Sequence, residues 1–190
     1  MDSTPDPQPP AHSSDLSKPV HIGDPAHTRN SGAGADVAES VDIQAPAAEV
    51  WALVSDPMNY PRWSPEATAT RRLRGQGTWK VGDTFRGANR AWLPWSTSCT
   101  VETADDEQGF KFRVSVGPFP VARWGYHVVS TGPSSCRVTE TWQDARSGWR
   151  GALVKPSGLL VGRGWDAAGR NRRTMRATLN ALKAHAEASA

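Results

Sequence analysis

The chain has 190 residues, with 22 lysines and arginines against 19 aspartates and glutamates. The formal net charge of +3 is small, and acidic and basic residues are interleaved along most of the chain, which does not indicate a nucleic-acid-binding protein. No apolar run approaches the ~20 residues that cross a bilayer, and the N-terminus lacks the apolar segment of a signal peptide. We therefore expect no nucleic-acid partner, no stable membrane insertion and a cytoplasmic location.

Residues 1–36 are rich in Pro, Ser, Asp and His and contain few apolar side chains. Such a segment cannot bury enough surface to offset the entropy lost on ordering, so we predict a disordered N-terminal tail. Its histidines, His12, His21 and His27, are too widely spaced to indicate a metal site. The remaining residues, 37–190, are predicted to form one domain, which is large enough to fold without a disulfide.

Two short helices are predicted after the first strand. The first covers Ala47–Ser55, directly after a proline, which is well tolerated at a helix start. Val50 and Val54 lie on the apolar face of this helix. The dipeptide Asp56-Pro57 then ends the first helix and begins the second.

After Pro65 the sequence changes to the alternation of β-strands, which assigns side chains to a covered inner face and an exposed outer face. The clearest strand follows Gly109, because its phenylalanines and valines alternate with Lys111 and Arg113. The inner face is predicted to carry Phe110, Phe112, Val114 and Val116 from this strand, Trp124, Tyr126 and Val128 from the next, and Cys136, Val138, Glu140 and Trp142 from the last.

An earlier strand is predicted to place Phe85 and Asn89 on the same inner face. Arg86 and Arg90 then point outward. This prediction holds unless Gly87 introduces a β-bulge, which would exchange the two faces.

Glu140 stands out because it lies between Val138 and Trp142 on a face that is otherwise apolar. An ionised carboxylate in such a place is costly to desolvate unless it finds a donor or a cation, or takes up a proton. Two interpretations stay open. Glu140 is either a structural residue that anchors the last helix or a water, or a polar anchor or general acid inside an apolar pocket.

A long C-terminal helix is predicted from residues that recur three and four positions apart. Its inward stripe comprises Trp165, Ala168, Arg172, Met175, Leu179, Leu182 and Ala186. Arg172 is the one charged residue of that stripe, and it either extends to the surface or reaches inward to Glu140.

Nine tryptophans are many for a domain of this size. Large flat side chains provide contact area for a planar or hydrocarbon guest, and together with Tyr126 they favour an aromatic or polycyclic one. The tryptophans that fall at potential interior positions are Trp63, Trp95, Trp124, Trp142 and Trp165.

The chain has no Gly-rich phosphate loop, no Ser-His-Asp arrangement that falls on one site, and no His/Cys cluster with metal-ligand spacing. We therefore expect neither a metal nor another cofactor. Cys99 and Cys136 are predicted to be two buried thiols rather than a disulfide.

Several motifs follow one another in an order that resembles a known superfamily. They are Ala45-Pro46 with Glu49-Val50-Trp51; Asp56-Pro57 with Tyr60-Pro61 and Trp63-Ser64-Pro65; Val81-Gly82-Asp83-Thr84-Phe85-Arg86-Gly87; Trp95-Ser96-Thr97; and Val138-Thr139-Glu140-Thr141-Trp142. With the closing amphipathic helix, they resemble the START-like helix-grip (SRPBCC) superfamily, in particular its polyketide cyclase/dehydrase and lipid-transport branch. The resemblance covers residues 38–187.

The resemblance implies an α+β helix-grip fold, in which a curved antiparallel sheet wraps around a long C-terminal helix. It also implies two short helices after the first strand and an internal cavity for hydrophobic small molecules. In that fold the loop 149–163 lies near the cavity mouth, where it either acts as a lid or packs on the sheet edge. The resemblance does not indicate the oligomeric state.

Three functions fit these observations, and the fold does not choose among them. The first is binding of a hydrophobic small molecule by Trp63, Phe85, Asn89, Trp95, Phe112, Trp124, Tyr126, Glu140, Trp142, Trp165 and Arg172. The second is a polyketide cyclase or aromatase in which Glu140 and Tyr126 move protons in the same cavity. The third is an interaction protein whose cavity is vestigial.

Overall fold

The computed structural model describes residues 37–90, 94–106, 109–146 and 167–189. Its helices are α1 (Ala47–Val54), α2 (Tyr60–Trp63) and α3 (Ala167–Glu187), with a 3-10 turn at Pro57–Asn59 between the first two. Its strands are β1 (Val37–Ile43), β2 (Ala67–Arg74), β3 (Thr84–Arg90), β4 (Pro94–Asp105), β5 (Gly109–Val116), β6 (Phe119–Gly132) and β7 (Ser135–Asp144).

The strands form one antiparallel, curved sheet in the order β1-β7-β6-β5-β4-β3-β2. Its inner face is set by alternation, as β7 shows: Cys136, Val138, Glu140 and Trp142 are buried while the intervening side chains are more exposed. Helices α1 and α3 cover this face, α1 over β6 and β7 and α3 chiefly over β1. The predicted α+β helix-grip fold is therefore confirmed.

The turn between α1 and α2 is fixed by Asp56. One carboxylate oxygen of Asp56 accepts hydrogen bonds from the backbone N–H of Met58, at 3.0 Å, and from the indole N–H of Trp79, at 2.8 Å. The hydroxyl of Tyr60, the first residue of α2, donates to the carbonyl oxygen of Val54 at 2.9 Å. These bonds close the end of α1 and direct α2, with Trp63, toward the inner face of the sheet.

Most of the predicted inward side chains are buried. Phe85, Cys99, Phe110, Phe112, Val114, Tyr126, Val128, Cys136, Val138 and Trp142 belong to the core, and both cysteines are free. The pairing of β3 with β4 is continuous, with Phe85 opposite Cys99 and Asn89 opposite Trp95, so Gly87 causes no bulge there. The prediction that Val116 lies on the inner face is wrong. The pairing of β5 with β6 shifts after Val114, and Val116 is exposed.

The buried face of α3 differs from the predicted stripe at its N-terminal part. Met175, Leu179, Leu182 and Ala186 are buried as predicted. The buried polar residues are Asn171 and Thr178, whereas the side chain of Arg172 is 51% exposed. The helix is thus rotated so that the amide of Asn171, and not the guanidinium of Arg172, faces the sheet.

Candidate functional site

Glu140 lies in the middle of β7, opposite Tyr126 on β6 and Glu39 on β1. Only 2% of Glu140 is exposed. The hydroxyl of Tyr126 donates a hydrogen bond of 2.7 Å to Oε1 of Glu140. The other carboxyl oxygen, Oε2, is buried and has no hydrogen-bond partner among the described residues.

The environment of Glu140 favours the protonated carboxyl group. Burial raises the pKa of Glu140 to about 8, the hydrogen bond from Tyr126 opposes that rise, and the nearby carboxyl of Glu66 adds to it. Burial also raises the pKa of Tyr126 well above its usual value. Both shifts favour a neutral acid hydrogen-bonded to a neutral phenol.

Aromatic rings pack against the tyrosine of this pair. The ring of Trp63 contacts the ring of Tyr126 edge to face, with centroids 5.9 Å apart, and the ring of Tyr60 lies at the same distance from Tyr126. Phe112 contacts Tyr60 at 6.1 Å and Phe85 at 5.3 Å. The indole nitrogen Nε1 of Trp63 is buried without a hydrogen-bond partner in the described part of the chain.

Glu66 belongs to the site although the sequence did not indicate it. It lies in the short link between α2 and β2, and its carboxyl accepts a hydrogen bond of 3.3 Å from the hydroxyl of Thr174 on α3. Burial raises the pKa of Glu66, while the bond from Thr174 and the charge of Arg170 lower it. A residue in an irregular link has no periodicity, so neither its burial nor its neighbours could be predicted.

Of the two alternatives for Arg172, extension to the surface is observed and the pairing with Glu140 is not formed. Arg172 lies 3.0 Å from one carboxylate oxygen of Glu39, and Arg176 lies 2.9 Å from the other. Glu39 shares the inner face with Glu140 but is at the β1 edge, where α3 passes, and its side chain is 15% exposed. Arg172 takes this partner because it can do so while its guanidinium stays in contact with water.

The remaining predicted ligand-binding residues occupy different parts of the inner face. Trp124 and Trp142 face each other across β6 and β7, with Trp142 buried and Trp124 half-buried. Asn89 and Trp95 form a facing, half-buried pair on β3 and β4. Trp165 and the loop 149–163 lie outside the described residues. The structure therefore brings together Trp63, Phe85, Phe112, Tyr126 and Glu140.

An open groove of about 670 Å³ lies between α1, the 3-10 turn and the β4–β5 hairpin. Its lining includes Trp51, Met58, Arg72 and Trp79 and none of the predicted ligand-binding residues. Arg72 stacks on Trp79, with its guanidinium carbon 3.5 Å from the ring centroid, and donates to the carbonyl of Gly77 at 2.7 Å. The guanidinium of Arg72 is thus already engaged within the protein.

Within the described ranges, no group of three or more His, Cys, Asp or Glu residues could hold a metal ion. None of the helices in the same ranges combines the length and the hydropathy needed to span a membrane.

Residues 34–187 match a family model described as polyketide cyclase / dehydrase and lipid transport. No curated protein sequence matches the chain significantly.

Solved structures are similar in fold. The Zhui aromatase/cyclase from Streptomyces sp. R1128 is 17% identical, with a TM-score of 0.60 over 80% of this chain and 93% of that chain. A START superfamily protein from Mycobacterium smegmatis is 17% identical, with a TM-score of 0.58 over 82% of this chain and 99% of that one. The di-domain aromatase/cyclase BexL, from the BE-7585A biosynthetic pathway, is 18% identical with a TM-score of 0.56; the match covers 80% of this chain and 46% of BexL. At these identities the likeness shows the fold alone.

Proposed function

The chain belongs to the polyketide cyclase/dehydrase and lipid transport family, and we propose that it binds a hydrophobic small molecule between the inner face of its sheet and α3. The observation that carries the proposal is the buried carboxyl of Glu140, which has one unpaired oxygen within a group of aromatic rings. An unsatisfied buried polar group costs about 1–3 kcal/mol, so a folded protein that retains one calls for an explanation. A guest whose polar end meets Glu140 provides it.

The aromatic composition of the site favours a flat guest. Five aromatic side chains form a connected group in which neighbouring rings have centroid distances of 5.0 to 6.1 Å: Tyr60, Trp63, Phe85, Phe112 and Tyr126. Such rings offer large contact areas with few rotatable bonds. An aromatic or polycyclic guest matches this lining better than a flexible acyl chain does.

Binding can be tested with a panel of fatty acids, sterols and polycyclic aromatic compounds. A bound guest is expected to quench tryptophan emission and to raise the melting temperature, because it stabilises the native state by mass action. Glu140→Ala removes the polar end of the site and should therefore lower the affinity for the tightest-binding compound of the panel by about tenfold. Gln143→Ala, on the exposed face of the same strand, is the matched control and should not change affinity. Absence of binding across the whole panel would contradict the proposal and favour an interaction protein with a vestigial cavity.

A polyketide cyclase or aromatase is the second candidate. One observation favours it: the pKa of Glu140 is raised to about 8, which suits a group that gives and takes protons near neutral pH, and Tyr126 is bonded to it. Incubation with a short poly-β-ketone, followed by mass spectrometry for loss of water, tests this candidate. Glu140→Gln should retain binding but abolish turnover, whereas turnover that survives this change would exclude Glu140 as the catalytic acid.

A further inference from the structure

Two buried polar groups near Tyr126 lack partners among the described residues: Nε1 of Trp63 and Oε2 of Glu140. An indole N–H only donates hydrogen bonds. The hydroxyls of Tyr126 and Tyr60, which could have served as additional donors, are already bonded to Oε1 of Glu140 and to the carbonyl of Val54. Whether a guest must supply a hydrogen-bond donor or an acceptor therefore depends on whether Oε2 accepts or donates.

The charges around Glu140 decide this question. From β1, Glu39 faces the same side but is already bound by Arg172 and Arg176. From the α2–β2 link, the carboxyl of Glu66 disfavours a second negative charge, and no ion pair joins Glu140 to a cation within the described ranges. A buried carboxyl without a compensating cation retains its proton.

With a proton on the carboxyl and Oε1 accepting from Tyr126, the free oxygen Oε2 carries the hydrogen and becomes a donor. Trp63 and Glu140 then both present donors that lack acceptors. A guest that supplies an acceptor satisfies them, while a guest amine or ammonium adds a further donor. A guest carboxylate would be repelled by Glu66, and the charge of Arg170, which acts on that carboxyl, is already offset by it.

We propose that the guest of this site is a ring system that carries a carbonyl oxygen, as in a ketone or quinone, and that Glu140 and Trp63 are the groups that recognise this oxygen. This inference rests on the proposed function and specifies the chemical class of the guest. It assigns Glu140 the role of a hydrogen-bond donor rather than that of an anionic partner.

Fluorene and fluorenone form a suitable pair of probes because they differ by one carbonyl group. At about pH 6, fluorenone is expected to bind about tenfold more tightly than fluorene, which corresponds to ~1.4 kcal/mol shared by the two hydrogen bonds. At about pH 9 the carboxyl is ionised and Oε2 no longer donates, so the preference should fall to what the N–H of Trp63 alone supports. Calorimetric or fluorescence titration at the two pH values measures both affinities.

Three variants separate the contributions. Glu140→Gln keeps a donor that cannot ionise, so its preference for fluorenone should persist at both pH values. Trp63→Phe removes the other donor and should reduce the preference about threefold or more. Trp51→Phe is the matched control, because Trp51 lines the open groove beside α1 and is not among the rings that contact Tyr126.

The outcomes separate this inference from the proposed function. Equal binding of the two compounds by the wild type at low pH, or tighter binding of aminofluorene than of fluorenone, would overturn the inference and leave ligand binding in place. A preference for fluorenone that is the same at both pH values in the wild type would exclude the neutral carboxyl as its donor. If neither fluorene nor fluorenone binds, the proposed aromatic guest itself is wrong.

Discussion

At the scale of single residues, the site depends on the protonation state of Glu140. Its strand neighbours on the inner face, Val138 and Trp142, are apolar or aromatic, and Tyr126 is the one described residue that donates a hydrogen bond to its carboxyl group. Desolvation therefore dominates, and the carboxyl holds its proton at pH values where an exposed glutamate is ionised.

This protonation state predicts how stability depends on pH. The pKa of Glu140 is raised from the ordinary value of 4.5 to about 8 in the folded protein. Between these two pH values the native state therefore binds more protons than the unfolded state. The contribution of Glu140 to stability should be fully present below about pH 4.5 and decline by up to about 1.4 kcal/mol per pH unit as the pH rises toward 8. Urea unfolding of wild type and Glu140→Gln across this range measures the difference. A difference that is constant with pH would show that Glu140 is ionised in the folded protein.

The position of Arg172 gives a second prediction. Its guanidinium is 51% exposed, and Arg176 remains on Glu39 when Arg172 is lost. Arg172→Ala should therefore lower the free energy of unfolding by less than about 1 kcal/mol, whereas loss of one member of a buried ion pair lowers it by about 3–5 kcal/mol. Arg173→Ala, an exposed neighbour, controls for the change in helix propensity. A cost of several kcal/mol that vanishes in a Glu140→Gln background would restore the pairing of Arg172 with Glu140.

At the scale of secondary-structure elements, strand alternation predicted which side chains face inward, because each strand must bury one face. It succeeded from Phe85 to Trp142 and was wrong at Val116, where a shift in strand pairing is not visible in the sequence. Helix periodicity was less exact: Arg172 and Asn171 are adjacent in sequence, and a rotation of one position exchanges them. Ion pairs across elements, such as Arg172 with Glu39, depend on that rotation and could not be predicted.

The start of β5 gives a third prediction. Gly109 has φ of +97°, and a Cβ atom added there would lie 2.4 Å from the carbonyl oxygen of Tyr126. Gly109→Ala should therefore displace the strand that carries Tyr126 and cost at least about 2 kcal/mol. Gly117→Ala is the matched control, since φ is also positive, at +56°, but no atom lies within 4 Å of the added Cβ. Chemical unfolding compares the two, and equal costs would contradict the steric argument.

The outer face of the sheet gives a fourth prediction. Arg71 on β2 and Arg86 on β3 are directly opposite, both are exposed, and neither forms an ion pair with a described residue. Like charges in this position are destabilising, so Arg86→Glu should stabilise the protein by about 0.2–1 kcal/mol. Arg90→Glu makes the same charge change without an arginine opposite it. If the two variants are stabilised equally, the gain comes from net charge and not from the cross-strand pair.

At the scale of the whole molecule, the order of elements could be predicted from three signals. They are the proline and aspartate residues at helix ends, the three- and four-residue spacing of apolar side chains in helices, and the alternation of side chains in strands. The sequence motifs also sufficed to recognise the helix-grip fold, which the structure confirms. The site was predicted in part: Glu140 and Tyr126 were expected to share a face, but their hydrogen bond requires the register of β6 with β7. The boundary of the domain at residue 37 stays a prediction.

The location of a bound guest tests the central claim most directly. The chain has three methionines, of which Met175 is buried on the inner side of α3 and Met58 lines the open groove beside α1. In a protein with isotope-labelled methionine methyl groups, NMR titration with fluorenone should shift the methyl resonance of Met175 and give contacts between that methyl and the guest, while Met58 stays unchanged. A guest that shifts Met58 and leaves Met175 unaffected would place binding in the groove and contradict a site between the sheet and the C-terminal helix.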